Sequence, residues 1–411
     1  MCRFQFVIVT ASGGLLFTPK PESLSPVWTA NELEQSATIE FAGEGAQQLG
    51  AIRDITKASQ LSNMMAYVPT DCPTREKHSW TGDTSVTAEE GMYNFFNPGV
   101  YELFLDTCRA GQGEHGNIAM AVPNKGSRGT DKQNTPTDIS WSSGYPQVAN
   151  WLRLYFGDTS VVRDHWVALT KYMEGQLAQA DAEDESALPA FWQCGDWCAI
   201  ENRSISTGGT GPPAAAANFI LSVQAMVDMA EAIGEKADAQ RWQGQLADWK
   251  AQFHANYYHE SLGSYTNRSL EVQALSSIAL GADAVPSALR PTVLGQGMVD
   301  DIKQRGFHLT IGSTGAKWLL PTLSANGEHD VALQLVAQTT YPSWGWWLAQ
   351  GATTCWESWS GVEDGSHPGT PQRPPLWGGG GPNNPTHNHI CEKKPIFQHI
   401  ISRPPNCGLH L

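Results

Sequence analysis

Two short stretches of this sequence concentrate side chains that can hold and move protons. The first, Asp71-Cys72-Pro73-Thr74-Arg75-Glu76-Lys77-His78-Ser79-Trp80-Thr81-Gly82-Asp83, sets three carboxylates, an arginine and an indole within thirteen residues. Pro73 and Gly82 disfavour one uninterrupted helix across it, so it reads as a loop feeding a helix, able to converge these groups. A solvated charged turn has the same composition, although such a turn has little reason to place Trp80 between carboxylates. The second stretch runs Tyr341-Pro342-Ser343-Trp344-Gly345-Trp346-Trp347 and on through Gly351-Ala352-Thr353-Thr354-Cys355-Trp356-Glu357-Ser358-Trp359, with Glu357 among five indoles. There the surroundings, rather than bulk solvent, govern how a carboxylate handles a proton. The segment reads equally well as a Trp-rich packing cluster in which backbone donors satisfy Glu357. Two carboxylates from distant segments, each beside aromatic residues, fit an acid and base pair for cleaving a glycosidic bond.

The elements that must position these groups are helical. From about residue 145 to 345 apolar residues recur at three and four, with little strand-like alternation. AAAANFILSVQAMVDMAEAIG followed by EKADAQRWQGQLADWKAQFHANYY predicts two antiparallel helices joined at Gly234, a C-cap position. A Gly-to-Asp turn recurs at Gly157-Asp158, Gly234-Asp238, Gly281-Asp283 and Gly327-Asp330, the last three 47 and 46 residues apart, about one helical hairpin. Repeated hairpins must bury their apolar faces on one another, which predicts a solenoid or a closed helical toroid. Long loops are expected at 70–83, 123–145, 191–212 and 341–361, where binding and chemistry concentrate. The division expected is 1–45 as the remnant of an upstream segment or strand, 46–361 as a helical domain, and 362–411 as an irregular Gly/Pro-rich tail.

Composition narrows the function. The chain has 411 residues, 41% hydrophobic and 16% charged, with 16 Trp and 40 Gly. Indoles stack on the apolar faces of sugar rings, and they also fill cores. A net charge of -15 argues against a polyanionic partner, so neither nucleic acid nor an anionic membrane is expected. The eight cysteines form neither a disulfide framework nor a zinc pattern; Cys194 and Cys198, which flank Gly195-Asp196-Trp197, have no matching Cys/His pair and are read as structural thiols. The opening Met1-Cys2-Arg3 and FQFVIV make a poor signal peptide and are too short to span a bilayer, but would suit a strand of an upstream domain. Sequons at Asn202 and Asn267 matter only in a secreted protein. The sequence sets neither compartment nor oligomeric state.

The run DCPTREKHSWTGD, with PT before it, together with PSWG and GATTCWESW, resembles the signature motifs of the α-L-rhamnosidases of glycoside hydrolase family 78. WSSGYPQVANWLRLYFGD, CGDW and GFHLTIGSTGAKWLLPTLSANGEHDVALQL resemble that family's intervening segments, so the likeness covers about residues 50 to 361. It implies an all-α (α/α)6 barrel, in agreement with the hairpin repeat. It also implies hydrolysis of terminal α-L-rhamnose from glycosides or polysaccharides, without metal or other cofactor. Carried over residue by residue, Glu76 is the general acid and Glu357 the general base of an inverting reaction. Asp71, Arg75 and Asp83 hold the sugar hydroxyls, Trp80, Trp141, Trp197 and Trp344 line the sugar pocket, and His389 in Pro-Thr-His387-Asn388-His389 touches the sugar. Asp71 and Asp83 make ionisation of Glu76 harder while Arg75 limits that repulsion.

The chain departs from that pattern in several places. The family's preceding β-sandwich domains and the helix after the base motif have no clear counterpart, and if that last helix is missing the barrel is open along one seam. Ser79 replaces a usual Gly, and Cys355 a usual aliphatic residue. Two other classes compete: a carbohydrate-binding relative without turnover, and another helical-toroid carbohydrate enzyme such as a trehalase-like hydrolase or a polysaccharide lyase. Retention of both Glu76 and Glu357 argues against the first, since a binding module needs neither.

Overall fold

The computed structural model describes residues 31–64, 68–71, 77–123, 137–180, 188–191, 194–200, 211–266 and 272–360. Glu76, Arg75, His389, the N-terminal FQFVIV, both sequons and the tail after residue 360 lie outside the described residues. Within them the chain runs through α1 (Ala46–Asn63), α2 (Thr81–Asn94), α3 (Pro98–Ala110), α4 (Ile139–Ser142), α5 (Gly144–Phe156), α6 (Ser160–Gln179), α7 (Gly211–Ile233) and α8 (Lys236–Tyr257). It continues through α9 (Val272–Gly281), a segment that passes from α10 (Arg290–Thr292) through π-helical turns at Val293–Val299 into α11 (Asp300–Gln304), then α12 (Ser313–Ala325), α13 (His329–Ala337) and α14 (Trp344–Ala349). Among the described residues the strands form two short antiparallel pairs, Glu34–Gln35 with Phe95–Phe96 and Tyr258–His259 with Ser264–Tyr265, besides an isolated bridge between Trp80 and Ala121.

The helices alternate between two burial patterns, and the alternation builds an all-α toroid, the (α/α)6 arrangement that the resemblance implies and the hairpin repeats allow. α2, α5, α7, α9 and α12 pack in succession, and α12 returns to α2. These inner helices are buried on most of their surface. At the return, Lys317 of α12, itself buried, donates from Nζ to the Ser85 carbonyl of α2 at 2.8 Å and lies 3.7 Å from the centroid of the Trp151 ring. Outer helices bury one stripe. On α8 that stripe is Trp242, Leu246, Trp249 and Phe253, the three-and-four spacing of an amphipathic helix. It packs on α7, where Ala214 to Ala217 are fully enclosed and Phe219 meets Trp249 edge-on at 5.1 Å. α7 is long and apolar enough to cross a membrane, yet 67% of that apolar window is buried inside the fold, as a core helix requires. α1 packs against α13 and α14, bringing the first and last described helices together; the segment after the base motif, on which the expected open seam depends, lies outside the described residues.

Two sequence expectations change in detail. The loops expected at 123–145 and 341–361 contain helices, because short polar caps start them: Asp138 accepts from Ser140 N at 2.7 Å, and Ser343 accepts from Trp346 N at 3.0 Å. Of the four Gly-Asp turns, Gly157, Gly234 and Gly327 adopt the left-handed conformation, but α9 runs on through Gly281 and the left-handed residue is Asp283. Gly281 serves close packing instead, since a Cβ there would lie 2.3 Å from the Trp318 ring.

Candidate active site

The acidic cluster enters the ring at the N-terminus of α2. Asp71 N donates to the His78 carbonyl at 2.8 Å and the Asp71 carboxylate accepts from His78 N at 2.9 Å, so the two ends of the segment carrying Arg75 and Glu76 are fastened together. The next residues form a short antiparallel ladder, with Thr81 N donating to Met120 O at 2.7 Å and Val122 N to Ser79 O at 2.9 Å. Trp80 caps α2 and meets His78 edge-on at 5.7 Å. Asp83, buried in the first turn of α2, lies where the helix dipole favours a carboxylate. Gly82, expected to interrupt a helix, is inside that first turn. A Cβ on it would stand 2.3 Å from the Trp141 ring, so the indole lies directly on the helix backbone.

From Trp141 the wall continues across the chain. Trp141 and Trp197 meet edge-on, centroids 6.3 Å apart, and Trp197 Nε1 donates to Glu357 Oε1 at 3.2 Å. Gly82 at the start of α2, Trp141, Trp197 and Glu357 are thereby linked through successive contacts although they lie far apart in sequence. Trp80, Trp197 and Glu357 are half-buried, which leaves them reachable by a ligand. Trp344 is placed differently: it is fully enclosed and meets Trp359 edge-on at 5.3 Å. Trp359 in turn stacks on Trp347 at 4.8 Å, so three of these indoles form the packing behind Glu357.

Three further residues, unremarked for their own chemistry in the sequence, hold this wall. Asp138, fully buried, accepts from Ser140 N and Cys194 N, each at 2.7 Å, and so ties the Trp141 segment to the Trp197 segment. Asp196 accepts from the backbone N–H groups of Gly312, Thr314 and Gly315 at 2.7, 2.7 and 3.1 Å. Burial pushes its carboxyl up to about 6, against the pull of those three donors. Trp359 Nε1 donates to Ile311 O at 2.6 Å. A Thr-Asp-Ile-Ser run signals a local cap at Asp138, but nothing in the sequence signals its second partner. Cys355, the residue departing from the expected aliphatic, fills an aliphatic role: burial pushes its thiol up to about 12, and its Sγ lies 3.7 Å from Thr56 Oγ1. Among the described residues no group of three or more His, Cys, Asp or Glu side chains could hold a metal ion. The arrangement offers a carboxylate facing an indole wall, with a second acidic segment anchored at the wall's other end.

Comparison with known proteins gives a consistent picture. The model of the bacterial α-L-rhamnosidase six-hairpin glycosidase domain matches residues 44–391. An α-L-rhamnosidase of Alteromonas sp. (strain LOR) is 26% identical over 314 residues, 73% of this chain and 32% of that protein. One from Streptomyces avermitilis is 27% identical over 372 residues, 88% of this chain and 32% of that protein. The solved α-L-rhamnosidase of Dictyoglumus thermophilum superposes with a TM-score of 0.74 at 28% identity, over 84% of this chain and 38% of that one. The chain thus spans about a third of the length of these relatives.

Proposed function

Because the chain belongs to the family of bacterial α-L-rhamnosidase six-hairpin glycosidase domains, we propose that it hydrolyses terminal, non-reducing α-L-rhamnose from rhamnose-containing glycosides or polysaccharides, with inversion. Glu357 takes a proton from the water that attacks the anomeric carbon. Glu76 gives its proton to the glycosidic oxygen as the C–O bond breaks. Sugar and aglycone leave as neutral alcohols, with the proton taken up by Glu357 balancing the one lost from Glu76. Asp71, Arg75 and Asp83 bind the sugar hydroxyls, and Trp80, Trp141 and Trp197 present the apolar wall against which a deoxy sugar with its methyl group packs. In this reading Trp344, enclosed behind Trp359, supports the wall from behind. His389 belongs to the proposed sugar contacts through the motif alone. The proposed catalytic domain is 46–361, preceded by the upstream segment and followed by the Gly/Pro-rich tail.

The observation that carries the reading is the Trp197–Glu357 hydrogen bond, which sets the proposed base into the indole wall that begins at the acidic cluster. The test is proton NMR during hydrolysis of p-nitrophenyl α-L-rhamnoside. β-L-Rhamnose appearing first, with the α anomer growing by mutarotation, is the expected result. The α anomer first would overturn inversion, and no hydrolysis would overturn the function.

A further inference from the structure

We propose that Asp196 is a positioning residue for Glu357, acting through its neighbour Trp197; the proposal rests on the reading of Glu357 as the base. α12 begins at Gly312, which has no side chain to cap the helix. Its first donors are met from a segment more than a hundred residues earlier in the chain. Gly312 N, Thr314 N and Gly315 N donate to the Asp196 carboxylate, and Ser313 N donates to the Trp197 carbonyl at 2.9 Å. Two consecutive residues therefore satisfy four consecutive N–H groups that every helix start leaves without an intrahelical partner. A serine or aspartate at position 312 would cap the helix locally and far more simply. The imported cap adds rigid attachment of the Trp197 backbone to an inner helix of the ring. Position 312 is shaped for that attachment, because a Cβ there would lie 2.2 Å from the Trp197 carbonyl oxygen.

The residue just before the same helix start also fastens the segment that carries Glu357. Trp359, two residues beyond Glu357, donates from Nε1 to Ile311 O and is buried against Trp347. Glu357 thus receives a hydrogen bond from Trp197 and lies two residues from Trp359, and both tryptophans are fastened within residues 311 to 315. A base held this way meets the attacking water at a fixed angle. Loosening it slows the chemical step, while sugar affinity, set by the rest of the wall, changes little.

The test uses the full chain and Asp196→Asn, Trp197→Phe, Glu357→Gln and the Asp196→Asn/Trp197→Phe double variant. Hydrolysis of p-nitrophenyl α-L-rhamnoside is measured well below each melting temperature, alongside indole N–H spectra of the 15N-tryptophan-labelled protein. Asp196→Asn keeps the size of the side chain but turns one end of it into a donor facing donors. Trp197→Phe removes the indole N–H and keeps an aromatic ring. We expect each single variant to lower kcat about 10- to 100-fold, Asp196→Asn with KM changed by less than about threefold, and the double variant to lose no more of kcat than the worse single one. The indole signal that disappears in Trp197→Phe should move in both Asp196→Asn and Glu357→Gln. Losses of kcat that multiply in the double variant, or a loss that falls on KM in Asp196→Asn, would overturn the proposal, as would a Trp197 signal indifferent to Asp196→Asn. If Asp196→Asn does not fold, Trp197→Phe decides: kcat kept at the wild-type value refutes the coupling to Glu357. A chain that hydrolyses no rhamnoside overturns the proposed function and this role together, whereas an active chain in which kcat ignores both substitutions overturns this role alone.

Discussion

Replacing Gly312 by alanine should unfasten the start of α12 from the segment that carries Trp197. The new Cβ would meet Trp197 O at 2.2 Å, and Ala199 N and Asp196 O at 2.7 Å, all three of them backbone atoms that cannot swing aside. The two backbones must separate by about 1 Å to reach ordinary contact. That displacement carries the bonds now at 2.7 to 3.1 Å from Gly312, Ser313, Thr314 and Gly315 beyond hydrogen-bonding distance. Overpacking costs about 1–3 kcal/mol, and weakening bonds to a buried carboxylate costs about 1.5–3 kcal/mol. The combined loss is therefore about 2.5–6 kcal/mol, which lowers the melting temperature by about 4–9 °C in a domain of this size. Scanning calorimetry at neutral pH measures it, with Gly244→Ala as the control. Gly244 lies exposed within α8 and a Cβ there meets nothing within 4 Å, so that variant should melt at or above the wild-type temperature. A Gly312→Ala protein that melts with wild type would refute the reasoning, because it would mean the imported cap is not holding the helix.

Three other outcomes follow from the same contacts. Gly82→Ala forces the Trp141 ring off the start of α2 and should raise KM for a rhamnoside about 10-fold or more, since Trp141 belongs to the proposed sugar wall. Asp138→Ala leaves Ser140 N and Cys194 N without their buried acceptor and should cost about 2–4 kcal/mol in chemical denaturation, with faster amide exchange at residues 194–200. Burial, reinforced by Arg109, holds the His165 imidazole below its ordinary value, with Asp106 and Asp164 pulling the other way. The unfolded chain therefore binds a proton there that the folded protein resists, and stability should fall as pH drops below about 6.5. Melting curves between about pH 5 and 7 should show a shallower decline for His165→Gln than for wild type, and parallel declines would count against that source of the pH dependence.

Much of the scaffold was legible because its signals are local. The apolar stripe of α8, the left-handed Gly234 and the loop-then-helix character around Trp80 each depend on residues within a turn or two of one another. Gly281 misled as a turn marker because its reason for being glycine is the Trp318 ring, a contact between helices. The expected loops hid α4 and α14, since Ser, Gly and Trp compositions suit caps and packing as well as loops. Asp196 stood in plain view inside a CGDW run, but its partners lie at 312 to 315, and no periodicity links a carboxylate to a helix start so far along the chain. Of the second motif's indoles, Trp344, Trp347, Trp356 and Trp359 are enclosed and Trp346 is half-buried, whereas the indole that donates to Glu357 is Trp197, from another segment. Only the fold makes that division.

The most direct test of the central claim is the turnover of p-nitrophenyl α-L-rhamnoside by the purified chain beside its Glu76→Gln and Glu357→Gln variants, each checked for an unchanged circular dichroism spectrum. The account predicts hydrolysis by the unsubstituted chain and a fall in kcat of about 10²-fold or more in each variant. A folded variant of either residue that turns over at the wild-type rate would contradict it.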